Sequence, residues 1–341
     1  MTANDTEKMQ AHLDNLTKPK GSLGNLEEYA LKLAAIQRRV PPRADKRLSI
    51  VFAGDHGIAD EGVSLYPKEV TAQMVMNFLS GGAAINVLSK HCGSDVWAVD
   101  AGVAGEIGVP GAIDMRVGPG TRNFAQEPAM SAEELEQCLE RGKALAERAA
   151  DEGYDLVSIG DMGIANTTTA AALLVANGLA LEDVVDRGTG IDTETLNHKL
   201  DVVDGAVKKH GPFADVHATM RCLGGFEICM IAGFILGLKG KKIACVVDGF
   251  PVTAGAFLAW RIDEEIGEFL FAGHRSKVKG HQVTLEKMGL EPIVDLNMRL
   301  GEGTGAVIGG FLVSLGAKIA SEMASFDSAG VSRSEGDEED Y

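Results

Sequence analysis

Glu302 is the residue with the plainest chemical task. It lies in Leu300-Gly301-Glu302-Gly303-Thr304-Gly305, where three glycines surround one carboxylate. A glycine-lined carboxylate can be desolvated, and desolvation raises its pKa towards that of a general base. The stretch also fits the dinucleotide pattern GxGxxA through Gly301, Gly303 and Ala306, but too little chain follows to complete a Rossmann half. A second element, Gly160-Asp161-Met162-Gly163-Ile164-Ala165-Asn166-Thr167-Thr168-Thr169, runs through glycines into three threonines and an alanine-rich helix. Unpaired N–H groups and hydroxyls at a helix N-terminus make an anion site. The lysine of a P-loop is absent, so a phosphate there would be held by dipoles and hydroxyls; an ordinary capped turn is the plain alternative. Gly188-Thr189-Gly190 with Asp192 forms another glycine-threonine element, and Lys199 on the helix after it either points at a phosphate or is a solvated helix lysine.

These residues need a scaffold that gathers turns. Six short segments rich in Val, Ile, Leu and Phe read as strands: Leu48–Ala53, Asp95–Val99, Asp155–Ile159, Ile243–Val247, Glu268–Ala272 and Pro292–Leu296. Helical patterns alternate with them, at Lys68–Leu79, Ala83–His91, Ala132–Asp151, Thr167–Ala176, Glu194–Lys209 and Phe226–Leu238. Alternation implies parallel strands with crossover helices, and in such a sheet ligands bind at the carboxyl ends of the strands. The turns there hold the unusual residues, including Gly54-Asp55-His56-Gly57, Asp248-Gly249-Phe250-Pro251 and Gly273-His274-Arg275-Ser276, so Gly249 and Ser276 join the expected nucleotide site. Asp55-His56 and His274 lack metal-site spacing and read as structural hydrogen bonding at the site rim, while Met74 and Met76 read as helix core.

Composition narrows the partners. The chain has 341 residues, 45% apolar and 24% charged, the balance of a folded protein. Its formal charge of −17, with no basic cluster, disfavours nucleic acid and anionic membrane as partners. Met1–Leu13 lacks the apolar core of a secretion signal, and the longest apolar stretch, Ile228–Leu238, is too short to span a bilayer, so a cytoplasmic address is expected. Five cysteines without a CxxC read as buried reduced thiols. The first forty residues and those after Gly305 show only helical patterns. The expected organisation is therefore a small helical domain from 1–40 plus 306–328, an α/β catalytic domain at 41–305, and a disordered acidic tail at 329–341.

The ordered motifs resemble the nicotinate-nucleotide:dimethylbenzimidazole phosphoribosyltransferase family of cobalamin biosynthesis. The resemblance spans roughly residues 17 to 320 and rests on Lys18-Pro19-Lys20-Gly21-Ser22-Leu23-Gly24, Gly54-Asp55-His56-Gly57, Gly62-Val63-Ser64 with Tyr66-Pro67 and Gln73, Ser80-Gly81-Gly82-Ala83-Ala84-Ile85-Asn86, Gly120-Thr121-Arg122-Asn123, Gly163–Thr168, Gly188–Gly190 and Arg299–Ala306. It implies an α/β fold with a Rossmann-like six-stranded parallel sheet, and a homodimer whose neighbour helps close the site. It implies transfer of phosphoribose from nicotinate mononucleotide to an aromatic base, giving an α-ribazole 5′-phosphate and nicotinate. The family's general base falls on Glu302, and its acceptor pocket on Ser64, Tyr66, Gln73, Met162 and Leu300.

In nicotinate mononucleotide the leaving nitrogen is a cationic pyridinium, so C1′ departs with neutralisation of charge and no pyrophosphate needs a metal; neither metal nor cofactor is expected. One departure stands out: the residue after Gly160 is usually glutamate in the family and is Asp161 here, one methylene shorter. Its catalytic reach towards the ribose or the incoming base is thereby shortened. The alternatives left open are a relative that uses a phenolic or purine acceptor, and a weakly active subunit that pairs with an active paralogue as a heteromer.

Overall fold

A computed structural model of the chain describes residues 3–105, 107, 110–186 and 192–333. The strands are β1 Arg47–Gly54, β2 Ser94–Gly102, β3 Ile113–Asp114, β4 Leu156–Met162, β5 Ala244–Val247, β6 Leu270–His274 and β7 Pro292–Val294. They form one parallel sheet in the order β3-β2-β1-β4-β5-β6-β7. The sheet thus has seven strands where the sequence suggests six. The addition, β3, pairs only Ile113 and Asp114 with Val99 and Asp100, and two residues carry no periodic signal. β6 also begins later than Glu268, because Glu264–Phe269 coils into a 3-10 turn capped by the Asp263 carboxylate.

The helices are α1 Ala3–Asp14, α2 Asn25–Gln37, α3 Glu69–Leu79, α4 Ala84–Cys92, α5 Ala132–Asp151, α6 Asn166–Ala176, α7 Leu181–Val184, α8 Thr193–His210, α9 Val216–Leu223, α10 Phe226–Gly237, α11 Phe250–Ile262, α12 Lys279–Lys287, α13 Thr304–Glu322 and α14 Phe326–Ala329. Helices α10 and α11 lie on one face of the sheet with α5 and α6 packed against them, and α2, α3, α4 and α13 cover the other. With both faces covered, β1 is buried from Leu48 to Gly54 and reads as an apolar run broken only by Ser49. α10 is buried from Phe226 to Ile235, as expected of a helix apolar all round.

The chain ends meet. Met9, Leu13 and Leu16 pack with Ala30, Ala34 and Ala320, and Leu16 forms an antiparallel bridge with Ser325. α13 is the helix that the sequence reading passed over as a candidate span. By length and composition it could cross a bilayer, but 61% of that window is buried, against α2 on one side and β4, β5 and β6 on the other. It is a core helix. The stretch 334–341, and with it most of the acidic tail, lies outside the described residues.

The chain winds outward from β1 through β2 to β3, then returns to β4 and proceeds through β5 and β6 to β7. The direction reverses between β1 and β4, which is where a doubly wound sheet opens a crevice at its carboxyl edge.

Candidate active site

Two adjoining cavities occupy that edge. The larger, about 330 Å³, is lined by Val63, Ser64, Tyr66, Val70, Met74, Met162, Gly163, Ile164, Ala165, Asn166, Thr167, Lys199, Leu300 and Glu302. The smaller, about 80 Å³, is lined by Asp161, Gly249, Phe250, Pro251, His274, Ser276, Val278, Arg299 and Gly301. Met162, Asn166, Thr167, Leu300 and Glu302 belong to both. A roomier hollow of about 550 Å³ lies between α5 and α9, but the buried acids and histidines gather around the carboxyl edge and not there. Chemistry rather than volume selects the site.

Glu302 sits where the cavities join. The backbone is left-handed at three successive residues, Gly301 (φ 88°), Glu302 (φ 63°) and Gly303 (φ 82°). For a residue with a Cβ this conformation costs roughly 1–2 kcal/mol, so the surroundings must hold it. Three contacts do so. Asp248 Oδ2 accepts from Gly303 N–H at 3.0 Å, and Oδ1 accepts from Gly305 N–H at 2.7 Å and Ala306 N–H at 3.0 Å. The Thr304 hydroxyl donates to the Gly301 carbonyl at 2.7 Å. Beneath the turn, Gly160 lets the backbones touch, since a Cβ there would overlap the main chain of Glu302 and Gly303. Burial, reinforced by the charge of Asp248, raises the Glu302 pKa to about 7. Burial would also raise that of Asp248, but His274 and the backbone amides outweigh it and hold Asp248 below the usual carboxylate range.

Asp161 is fully enclosed. Asn166 Nδ2 donates to its Oδ2 at 2.6 Å. Burial and the nearby Glu227 and Asp248 raise its pKa to about 8, against the opposing pull of Asn166 and His56. Behind it His56 Nε2 and Glu227 Oε1 lie 2.9 Å apart, both without solvent exposure. Burial opposes the charge on His56, yet Glu227 prevails and its pKa moves up. His56 Nδ1 pairs with the Thr169 hydroxyl at 2.9 Å, which ties this pair to the first turn of α6. Asp55 and His56 are therefore buried under the site rather than set at its rim, whereas His274, equally buried, lines the smaller cavity.

Lys199 is 2% exposed and donates to the Thr167 hydroxyl at 2.9 Å, so it is no solvated helix lysine. Burial lowers its pKa to about 8, with Asp186 opposing. α6 begins at Asn166, after Ala165 in a left-handed conformation. Successive helical residues are turned by about 100°, and Thr167 lines both cavities while Thr168 is fully buried and lines neither. Its hydroxyl has no partner among the described residues. On α3, Val70 and Met74 are one turn apart and face the larger cavity, so Met74 is wall as well as core; Gln73 is exposed and outside it. Gly160 also lines neither cavity, being packed below the Glu302 turn. Gly188, Thr189 and Gly190 lie outside the described residues.

The sequence reading thus brings together Glu302, Asp161, Met162, Gly163, Asn166, Thr167, Lys199, Gly249, Ser276, Ser64, Tyr66 and Leu300. It missed Arg299 and the apolar wall residues Val63, Val70 and Ile164 as site residues, and it left Asp248 as one acid in a strand-end turn. Among the described residues, no three His, Cys, Asp or Glu side chains form a group able to hold a metal ion.

Residues 1–331 match the profile of a family described as Phosphoribosyltransferase. The nicotinate-nucleotide–dimethylbenzimidazole phosphoribosyltransferase of Geobacter sulfurreducens is 48% identical over 331 residues, 96% of this chain and 94% of its own length. The protein of the same name in Citrifermentans bemidjiense is 47% identical over 328 residues, 95% of this chain and 94% of its own. The crystal structure of CobT from Thermus thermophilus superposes with a TM-score of 0.92 at 46% identity, covering 97% of this chain and all of that one. On this extent of match, the chain belongs to the nicotinate-nucleotide–dimethylbenzimidazole phosphoribosyltransferase family.

Proposed function

We propose that the chain transfers 5-phosphoribose from nicotinate mononucleotide to 5,6-dimethylbenzimidazole or a related base, giving α-ribazole 5′-phosphate and nicotinate. The observation that carries this reading is Glu302, a buried carboxylate with a pKa raised to about 7, at the junction of the two cavities. The imine nitrogen of the base attacks C1′ from the face opposite nicotinate. The C1′–N bond breaks, its electron pair returns to the pyridinium ring and discharges it, and the anomeric centre inverts. The N–H on the other ring nitrogen of the base acidifies as the new bond forms, and Glu302 takes that proton. General-base help of this kind is worth about 10²–10⁴ in rate.

The remaining roles follow from position. The larger cavity takes the flat aromatic base against Val63, Tyr66, Val70, Met74 and Leu300, with the Ser64 hydroxyl as a polar handle. The phosphoribosyl group extends along Asn166, Thr167, Gly249 and Ser276, with Lys199 and the helix N-terminus of α6 supplying positive potential. Asp161, held by Asn166, faces the ribose. We read residues 1–40 with 306–328 as a helical unit distinct from the catalytic part, supported by the Met9, Leu13, Ala30 and Ala320 cluster, although α13 also packs on the sheet. A homodimer in the cytoplasm completes this reading.

The test is product analysis of the full chain with nicotinate mononucleotide and a panel of benzimidazoles, phenols and adenine. The expected product is the inverted 5′-phosphoribosyl benzimidazole with nicotinate released. Release of nicotinate only with a phenol or adenine would overturn the acceptor assignment.

A further inference from the structure

The turn that carries Glu302 lacks a cap of its own. The residue at the N-cap of α13 is Gly303, which has no side chain to accept from the first amides of the helix. The acceptor comes instead from the turn after β5, 55 to 58 residues away in sequence, where the Asp248 carboxylate takes the amides of Gly303, Gly305 and Ala306. Asp248 has no solvent exposure, and its own position is fixed from behind. His281 Nε2 meets its backbone carbonyl at 3.1 Å, and the other ring nitrogen, Nδ1, accepts from Ser276 N–H at 3.1 Å, which makes Nε2 the donor. The His274 ring lies beside Asp248 Oδ1 at 3.4 Å and fills the space that a side chain at Gly305 would need.

We propose that Asp248 is the positioning residue of the catalytic base. By accepting three amides it holds the left-handed Gly301–Gly303 backbone and so aims the Glu302 carboxylate at the junction of the two cavities. The inference rests on Glu302 being the base. Asp248 itself lines neither cavity, so it acts through Glu302 and not on substrate. A three-amide clamp needs an acceptor on both carboxylate oxygens. In Asp248→Asn one of them becomes an N–H₂ group, which is set against the Gly303 N–H or leaves the other two amides unpaired.

The test is a double-mutant cycle on kcat with Asp248→Asn, Glu302→Gln and the pair, together with binding of nicotinate mononucleotide. Residues that act as a unit are non-additive, so Asp248→Asn should lower kcat at least about thirtyfold alone and less than about threefold when Glu302 is already Gln. Affinity for nicotinate mononucleotide should stay within about threefold, since ground-state binding does not use the base. Losses that multiply in the cycle, or donor affinity falling in step with kcat, would overturn the proposal and point to a general structural role. Should Asp248→Asn not fold, Gly303→Ala disturbs the same turn from its other side, and the same non-additive pattern with Glu302→Gln is required of it. Unchanged kcat in Gly303→Ala would also overturn the proposal. Near-normal turnover in Glu302→Gln alone would sink the base assignment itself, whereas a crippled Glu302→Gln beside a normal Asp248→Asn would sink only the clamp.

Discussion

Around the smaller cavity the walls are strand ends and the turns that follow them: Asp161 at the end of β4, Gly249 after β5, His274 and Ser276 at and after β6. A buried hydrogen-bond net lies around and behind it, with Asn166 on Asp161, Asp248 on three amides, and His281 between Ser276 and the Asp248 carbonyl. The larger cavity alone is walled by Val63, Val70, Met74 and Ile164, and its Tyr66 is more than half exposed. A site held by hydrogen bonds fails when one partner is removed, because the other is left unpaired. A site held by apolar contact tolerates exchange of similar volumes. On the proposed assignment the donor side accepts one shape, and the acceptor side drifts between related rings.

The comparison breaks first at the junction. Glu302→Gln should lower kcat at least about a hundredfold while nicotinate mononucleotide affinity changes only a few-fold, measured by turnover and by titration. On the acceptor side, benzimidazole and its dimethyl form should both be used, with kcat/KM within about two hundredfold of each other, because an apolar pocket discriminates weakly against a missing methyl. Adenine should compete poorly, since its extra ring nitrogens would enter that wall without partners; preference for adenine in competition assays would mean that the two cavities do not differ as described. Lys199→Ala should weaken nicotinate mononucleotide binding about tenfold or more by removing a charge-assisted contact, and leave the KM of the base nearly unchanged. A mainly acceptor-side defect in that variant would reassign the lysine to the larger cavity that it lines.

The smallest effect is on pH dependence. A base with a pKa of about 7 must be deprotonated to work, so kcat should fall about tenfold per unit as pH drops below that value. The groups around Glu302 are Asp248 from the turn after β5, Asp161 from β4, His274 from β6, Lys199 from α8 and Arg299 on its own segment. In Lys199→Ala the acid limb should persist, whereas Glu302→Gln should abolish it.

Most of the site was legible because its chemistry sits in strand-end turns, where glycine, one acid and a following helix make a local pattern. Glu302 and the Gly163–Thr167 turn needed only that pattern. Thr168 and Gln73 were misplaced for a different reason: a motif gives order along the chain, while the helical phase decides which neighbour faces inward. Thr167 and Met74 took the inward positions, one residue from each. Asp248 could be seen only as an acid after a strand, since its amide partners lie more than fifty residues away and meet it through sheet order. β3 was illegible because two residues have no period.

α13 carries the Glu302 turn at its N-terminus and runs for 19 residues with a bilayer-like composition. Its buried face is made of small residues, among them Gly309, Gly310, Gly316, Ala317 and Ala320. At Gly316 the backbone of α2 comes so near that a side chain would collide with the Leu26 carbonyl. Translation runs from the N-terminus, so α1 and α2 have left the ribosome long before α13 emerges. A helix long and apolar enough to cross a bilayer is thus made only when the helices that shelter it are already waiting.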